Sequence, residues 1–84
     1  MPQGCTAPDL DRVDRHIQLS MIKRGWIEGE VLEAYLNGTF FDAVDMTDDN
    51  APATRFVHPA SGKSVVINNA TGKIIHVGGK DFQY

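Results

Sequence analysis

The chain has 84 residues, a formal net charge of −3 and a pI of about 5.4; 42% of its residues are hydrophobic and 23% are charged. This length predicts one domain with a modest core. The acidic balance argues against a general nucleic-acid binder, although a small basic cleft on an acidic body stays compatible with it. The single cysteine, Cys5, excludes an internal disulfide and a cysteine-based metal site, and no apolar run is long enough to span a membrane.

The first part of the chain predicts a leader followed by an amphipathic helix. Residues 1–8 are expected to be a frayed leader, and residues 9–84 the domain. Asp9 can cap a helix that ends before Gly25, a residue suited to the left-handed conformation that terminates helices. One apolar stripe recurs in this helix at steps of three and four: Leu10, Val13, Ile17 and Met21.

A second, shorter helix is predicted over Ile27–Leu36, and Asn37-Gly38 ends it. Trp26 stands directly before this helix and is expected to anchor the turn between the two helices. The predicted apolar side of the second helix consists of Ile27, Val31, Leu32, Tyr35 and Leu36.

The remaining residues predict a sheet. Runs rich in Val, Ile, Phe and Thr indicate four strands: Thr39–Val44, Ala53–His58, Lys63–Asn68 and Lys73–Gly78. The last three are separated by the turn residues Pro59–Gly62 and Asn69–Gly72, which are short enough for antiparallel pairing. The fold class is therefore α+β, with an N-terminal helix pair packed on a small antiparallel sheet. Phe82 and Tyr84 in the tail are expected to fold back onto this sheet.

Four-residue turns also set a register, with three opposing pairs: His58 and Lys63, Phe56 and Val65, Ile67 and Ile74. Side chains alternate between faces along a strand. One face is then expected to carry a basic set near one end: His58, Lys63 and His76. The other face carries a second polar set: Arg55, Ser64 and Asn68. Charges near turns also solubilise hairpins, so a site and an ordinary structural role both stay open here.

A second cluster lies on the first helix. Lys23 follows His16 by seven positions, or two helical turns, so these two residues share one side of the helix, and Arg24 follows His16 by eight positions. Cations in the last turn are also expected for stability alone, because they compensate the helix dipole.

Together these clusters offer His, Lys, Arg, Ser and Asn, without a nucleophile elbow, a phosphate loop or metal-ligand spacing. Such a set suits RNA cleavage through the 2′-hydroxyl of the RNA itself. That reaction needs a proton acceptor, a proton donor and cations around the charged phosphorane. It needs no metal and no cofactor. The same cations could instead only bind phosphate or an acidic peptide.

Several segments resemble one known family. KRGW at Lys23–Trp26, ATRFVHP at Ala53–Pro59, SVVINNATGKIIHV at Ser64–Val77 and the closing GGKDFQY are similar, in order and spacing, to the colicin E-five type tRNA ribonuclease domains. The resemblance covers about Asp11 to Tyr84. It implies the barnase–EndoU–colicin–RelE fold group and a metal-independent endoribonuclease that cuts tRNA, in the anticodon loop for the type enzyme, leaving a 2′,3′-cyclic phosphate.

The same resemblance implies a biological setting. Members are toxin tips of colicins, of contact-dependent inhibition proteins or of Rhs-like proteins. They are secreted or delivered from the cell surface as part of a larger toxin, and they act in the cytoplasm of a competing bacterium. The implied partners are tRNA and a cognate immunity protein, which blocks the site in the producing cell.

The resemblance also implies roles for residues. Arg24 matches the key arginine of the family, whereas His16 stands where the family has a catalytic lysine and would act as a proton carrier near neutral pH. The basic residue of the family's central loop has no match, because this chain has the acidic Asp45–Asn50 there. The expected catalytic residues are His16, Lys23, Arg24 and His76. The expected RNA-binding residues are Arg55, His58, Lys63, Ser64 and Asn68.

Two other classes of function stay open. A non-catalytic module of the same fold could recognise RNA or a protein through the same cleft, and the acidic charge and the histidine at position 16 favour this slightly. An acidic antitoxin-like partner of a basic protein is the third hypothesis.

Overall fold

The computed structural model describes residues 5–79. Two helices precede four strands: α1 (Arg15–Lys23), α2 (Glu28–Asn37), β1 (Thr39–Asp45), β2 (Ala51–Val57), β3 (Ser64–Asn68) and β4 (Ile74–Gly78). The strands form one antiparallel sheet in the order β1-β2-β3-β4. Each strand pairs with its neighbour in the chain because the connections are too short for a crossover. The predicted α+β fold, with a helix pair on an antiparallel sheet, is confirmed.

The predicted register is also confirmed at its centre. Phe56 lies opposite Val65, and Ile67 lies opposite Ile74. Four-residue turns therefore set the pairing of the last three strands, as the spacing of turn residues indicated.

One residue of β4 departs from that register. His76 pairs with Val66 while Ile74 pairs with Ile67, so Ile75 is an extra residue that forms a β-bulge. The bulge reverses the alternation of side chains beyond it. His76 therefore lies in one row with Val66 and Arg55, and the prediction that it shares a face with His58 and Lys63 is wrong.

The helices cover the other face of the sheet. Five sheet residues on that face are no more than 1% exposed: Phe56, Val65, Ile67, Ile74 and Val77. They pack against buried side chains of both helices: Ile17, Met21, Val31, Ala34 and Tyr35. The predicted apolar side of α2 is correct for Val31 and Tyr35. It is wrong for Ile27, Leu32 and Leu36, which are exposed, because the small Ala34 turns toward the sheet instead.

The first helix begins later than predicted. The Asp9 carboxylate accepts a hydrogen bond from the Asp11 amide at 3.2 Å, which makes a local turn rather than a helix cap. Asp14 occupies the N-cap position of α1 and its carboxylate pairs with Lys73 at 3.0 Å. The apolar stripe survives this change, because Leu10 and Val13 still pack against the core from outside the helix.

Residues 5–8 are part of the packed structure, so the prediction of a frayed leader is wrong for them. Cys5 is 8% exposed, and its carbonyl accepts a hydrogen bond from the Tyr35 hydroxyl at 3.1 Å. The Thr6 amide donates to the Asn69 carbonyl at 2.9 Å. Phe82 and Tyr84 lie outside the described residues. Neither helix within residues 5–79 is long and apolar enough to cross a membrane.

Candidate active site at the end of the first helix

The first helix ends in a tight turn that fixes the backbone around Arg24. Gly25 has a φ of 71°, and the Trp26 amide donates to the Met21 carbonyl at 2.7 Å while the Gly25 amide donates to the Ile22 carbonyl at 3.2 Å. This pair of hydrogen bonds is the Schellman arrangement, which favours glycine at the left-handed position. The predicted helix stop at Gly25 is confirmed.

Trp26 fastens this turn to the sheet. Its side chain is 4% exposed, and its indole Nε1 donates to the Gly78 carbonyl at 3.0 Å. The predicted anchoring role of Trp26 is therefore confirmed, and Gly78 at the end of β4 is its partner.

The turn places Arg24 beside the end of β4. Its Nη1 lies 3.8 Å from the point where a Cβ on Gly79 would stand. Burial first, and then the charge of Arg24, lower the pKa of His76. The ring of His76 is half-buried, and its Nε2 is shielded from solvent. Two of the expected catalytic residues thus lie at the same end of the sheet, where burial and the guanidinium both favour the neutral form of the imidazole.

The other two expected catalytic residues lie along α1. Lys23 is exposed in the last turn, next to Arg24 in the chain. His16 is exposed in the first turn, and eight residues of α-helix separate it from Arg24 by about 12 Å. The predicted cluster is therefore a stripe along the helix, with His16 at the end remote from Arg24.

Arg55 shares a sheet row with His76 but points elsewhere. The two residues are separated by β3, or about 10 Å across two strand spacings. The guanidinium carbon of Arg55 lies 4.4 Å from the centroid of the Phe41 ring, on β1. Arg55 therefore adds positive charge to this face at a distance from His76.

Lys63 contacts the helix turn itself. Its Nζ donates to the Gly25 carbonyl at 2.9 Å and to the Glu30 carboxylate at 3.2 Å. It also lies 5.1 Å from the centroid of the Trp26 ring. The expected RNA-binding residue thus makes contacts within the fold.

His58 and Asn68 occupy the same place in two matching turns. The Nδ1 of His58 accepts hydrogen bonds from the amides of residues 60 and 61 at 3.2 and 3.1 Å. The Oδ1 of Asn68 accepts from the amides of residues 70 and 71 at 2.9 and 3.2 Å. Gly62 and Gly72 complete the turns with φ values of 75° and 74°. The shared sequence Ala-Ser/Thr-Gly-Lys is the signal that could have identified this pair.

Burial sets these turn residues and Ser64 apart from a surface that RNA could contact. His58 is 9% exposed, while Asn68 and Ser64 are 1% exposed. The amide nitrogen of Asn68 also donates to Asp45 at 3.0 Å and to Asp48 at 3.3 Å. Arg55 is half-buried, and its guanidinium lies over the Phe41 ring.

Asp45 is a buried, hydrogen-bonded carboxylate, which the sequence did not predict. It is 1% exposed, although it was placed in an acidic loop. Burial alone would raise its pKa, but hydrogen bonds from Asn68 and Thr47 and the charge of Lys73 outweigh burial and lower the pKa. A cleft of about 520 Å³ opens here, at the end of β3 opposite the Arg24 turn. Its lining includes four aspartates against two cations, Arg12 and Lys73, so its net charge is unfavourable for a phosphate.

The sequence matches no protein-family model. It is 33% identical over 79 residues to Colicin-E5 of Escherichia coli, an alignment that covers 82% of this chain and 43% of that protein. The chain therefore spans less than half the length of this relative. Over most of its own length, the chain is similar to a colicin.

Proposed function

We propose that this chain is the ribonuclease domain of a colicin-like toxin and that it cleaves tRNA at a site formed by Arg24 and His76. The observation that carries this proposal is the position of the Arg24 guanidinium beside Gly79, where its charge acts on His76. A cation next to a neutral imidazole supplies two of the three functions that RNA cleavage requires: acceptance of the 2′-hydroxyl proton and stabilisation of the charged phosphorane. The similarity to Colicin-E5 supports the toxin class.

The reaction follows from these two groups. Because Nε2 of His76 is shielded from solvent, the neutral imidazole accepts the proton of the 2′-hydroxyl at Nδ1, and a bond forms between O2′ and phosphorus. The bond between phosphorus and O5′ breaks, and O5′ takes a proton from water. Arg24 stabilises the negative charge on the non-bridging oxygens, and Lys23 supports it as a second cation. The products are a 2′,3′-cyclic phosphate and a 5′-hydroxyl.

His16 has a different role in this proposal. Because it lies about 12 Å from Arg24 along the helix, it contacts RNA that flanks the scissile phosphate instead of transferring a proton there. A tRNA anticodon loop, which presents unpaired nucleotides, is the proposed substrate.

The setting of this activity is part of the proposal. The domain would be secreted or surface-delivered within a larger toxin and would act in the cytoplasm of a target bacterium. A cognate immunity protein would bind over the Arg24 turn in the producing cell.

Cleavage of purified tRNA in the presence of EDTA tests the proposal. We expect cleavage by the wild-type chain, with 2′,3′-cyclic phosphate ends, and a rate about 10²- to 10³-fold lower for Arg24→Ala, the usual cost of losing a group that stabilises transition-state charge. Arg15→Ala is the matched control, because it removes an exposed arginine from the other end of α1 and is expected to cleave normally. Intact tRNA after prolonged incubation with stoichiometric wild-type protein would contradict the proposal.

A non-catalytic module of the same fold, which binds RNA or a protein partner, is the second candidate; the net charge of −3 and the histidine at position 16 favour it over a nuclease. Expression in a bacterium without an immunity protein separates the two candidates. Growth arrest that requires Arg24 supports the nuclease, whereas harmless expression together with retained tRNA binding supports the binding module.

A further inference from the structure

We infer that Lys63 is a positioning residue, which holds the Arg24 turn over the end of β4 by binding the Gly25 carbonyl. The catalytic part of this inference rests on the proposed function, because Arg24 is the residue being positioned. The structural part does not depend on it: Lys63 Nζ donates to the Gly25 carbonyl at 2.9 Å and so joins the β2–β3 turn to the end of α1.

The helix end leaves the Gly25 carbonyl in need of a partner. The Schellman hydrogen bonds engage the amides of Gly25 and Trp26 with carbonyls inside the helix. Gly25 lies beyond the helix in a left-handed conformation, so its own carbonyl has turned away from the helical ladder. The Lys63 ammonium meets that carbonyl at 2.9 Å.

Lys63 is itself held in place from several sides. The Glu30 carboxylate on α2 pairs with it at 3.2 Å, and the lysine and glutamate side chains are 15% and 23% exposed. The Trp26 ring lies beside its ammonium. At its backbone, the Lys63 carbonyl accepts from the His58 amide at 2.7 Å, which closes the β2–β3 turn. The ammonium is therefore a fixed contact and not a mobile surface charge.

Two contacts consequently fix the residues directly after Arg24. Trp26 is bound to Gly78 through its indole, and Gly25 is bound to Lys63 through its carbonyl. The Arg24 side chain starts from the backbone of this turn, so the position of the turn sets which part of β4 its guanidinium can reach. Loss of the Lys63 contact would let the turn move relative to β4, and a displacement of about 1 Å at a catalytic group can cost about 10²-fold in rate.

The experiment compares Lys63→Met with Lys73→Met. Lys73 follows the matching turn, Asn69–Gly72, and pairs with Asp14 at the far end of the sheet, so its variant removes an equivalent charge without touching the Arg24 turn. The first readout is the pKa of His76, from an NMR titration of its ring proton. Displacement of Arg24 should raise this pKa toward the value in Arg24→Ala, whereas Lys73→Met should leave it unchanged. Lys63→Arg should restore the wild-type pKa. Because loss of the Lys63 charge can also raise this pKa directly, the rise counts as displacement of Arg24 only if Glu30→Gln, which keeps that charge, raises the pKa as well.

The second readout is tRNA cleavage. A positioning role predicts that Lys63→Met lowers kcat by roughly tenfold to a hundredfold with KM little changed, and that Lys63→Arg recovers most of the rate. A raised KM with an unchanged kcat would show that Lys63 contacts RNA directly, and would overturn the inference. Failure of the wild-type chain to cleave tRNA would defeat the proposed function, while the titration of His76 would still decide the positioning role.

A second variant keeps the inference falsifiable if Lys63→Met fails to fold. Glu30→Gln retains Lys63 but removes its carboxylate partner. Loss of a negative charge would by itself lower the pKa of a nearby imidazole, so a raised pKa of His76 can only come from movement of Arg24. An unchanged or lowered pKa in folded Glu30→Gln, together with unchanged cleavage, would overturn the inference.

Discussion

Replacement of Asn68 by alanine should destabilise the fold more than any loss of an exposed polar side chain. Asn68 is 1% exposed, and its side chain joins the Asn69–Gly72 turn to two aspartates. The bond to buried Asp45 involves a charged acceptor, which is typically worth about 1.5–3 kcal/mol, and each bond to a turn amide adds about 0.5–1.5 kcal/mol where water cannot replace it. We expect a total loss of about 3 kcal/mol.

That loss is large for a chain of this size. At roughly 0.05–0.15 kcal/mol per residue, 84 residues give a total stability of about 4–12 kcal/mol. Urea denaturation followed by fluorescence is a clean assay, because Trp26 is the only tryptophan in the sequence. With a urea m-value of about 1 kcal/mol/M for a small domain, the midpoint should fall by roughly 3 M.

Two variants serve as controls for this prediction. Asn37→Ala removes an exposed asparagine amide 3.3 Å from Glu33 and should change stability by less than about 0.5 kcal/mol. Asn68→Asp keeps the acceptor of the turn but sets a second carboxylate against Asp45, so it should be the least stable variant at neutral pH and recover on acidification. An Asn68→Ala midpoint within error of Asn37→Ala would refute the reasoning.

Three further predictions concern the hydrogen bond between Trp26 and Gly78, the stability of the fold in acid and the pH dependence of cleavage. Trp26→Phe removes the hydrogen bond to Gly78 and should cost about 1 kcal/mol, or roughly 4–8 °C in Tm by circular dichroism; an unchanged Tm would contradict the anchoring role. Because the pKa of Asp45 is lower in the folded protein than its unfolded value of about 3.9, the ionised carboxylate stabilises the fold above that pH, and the stabilisation is lost as the pH falls through the folded pKa. The urea concentration at the unfolding midpoint of the wild type should therefore decrease once the pH is below about 4. Asp45→Asn should make this decrease smaller. A proton acceptor loses its activity as the pH falls through its pKa, and burial and then Arg24 lower the pKa of His76. The cleavage rate should therefore fall to half its maximum at a pH below about 6.5. A half-maximal rate at a higher pH in the wild type would exclude His76 as the proton acceptor.

The sheet was predictable because its signals are local. Turn residues of constant number separate the runs of β-branched residues, and constant turn length fixes the register. The bulge at Ile75 had no such signal, since Lys73–Gly78 alternates equally well with or without an extra residue. That one residue decides the face on which His76 lies, and hence whether the charge of Arg24 can act on its ring.

The site was predictable only in part. The KRGW segment identified Arg24, and Gly25 identified the helix end. The separation of His16 from Arg24 follows from helix geometry alone and could have been inferred. The role of Lys63 could not, because its partner Gly25 lies 38 positions earlier in the chain and only the packed turns bring the two together. The turn contacts of Asn68 and His58 could not be predicted either, because a polar side chain that caps a turn from inside the fold has the same residue type as one that faces a ligand.

Chemical rescue of Arg24→Ala is the measurement that tests the Arg24–His76 site most directly. Guanidinium ion, added at concentrations well below those that unfold the protein, should restore part of the tRNA cleavage rate of Arg24→Ala and none of the rate of His76→Ala. Cleavage by Arg24→Ala at the wild-type rate, without any added guanidinium, would contradict the account.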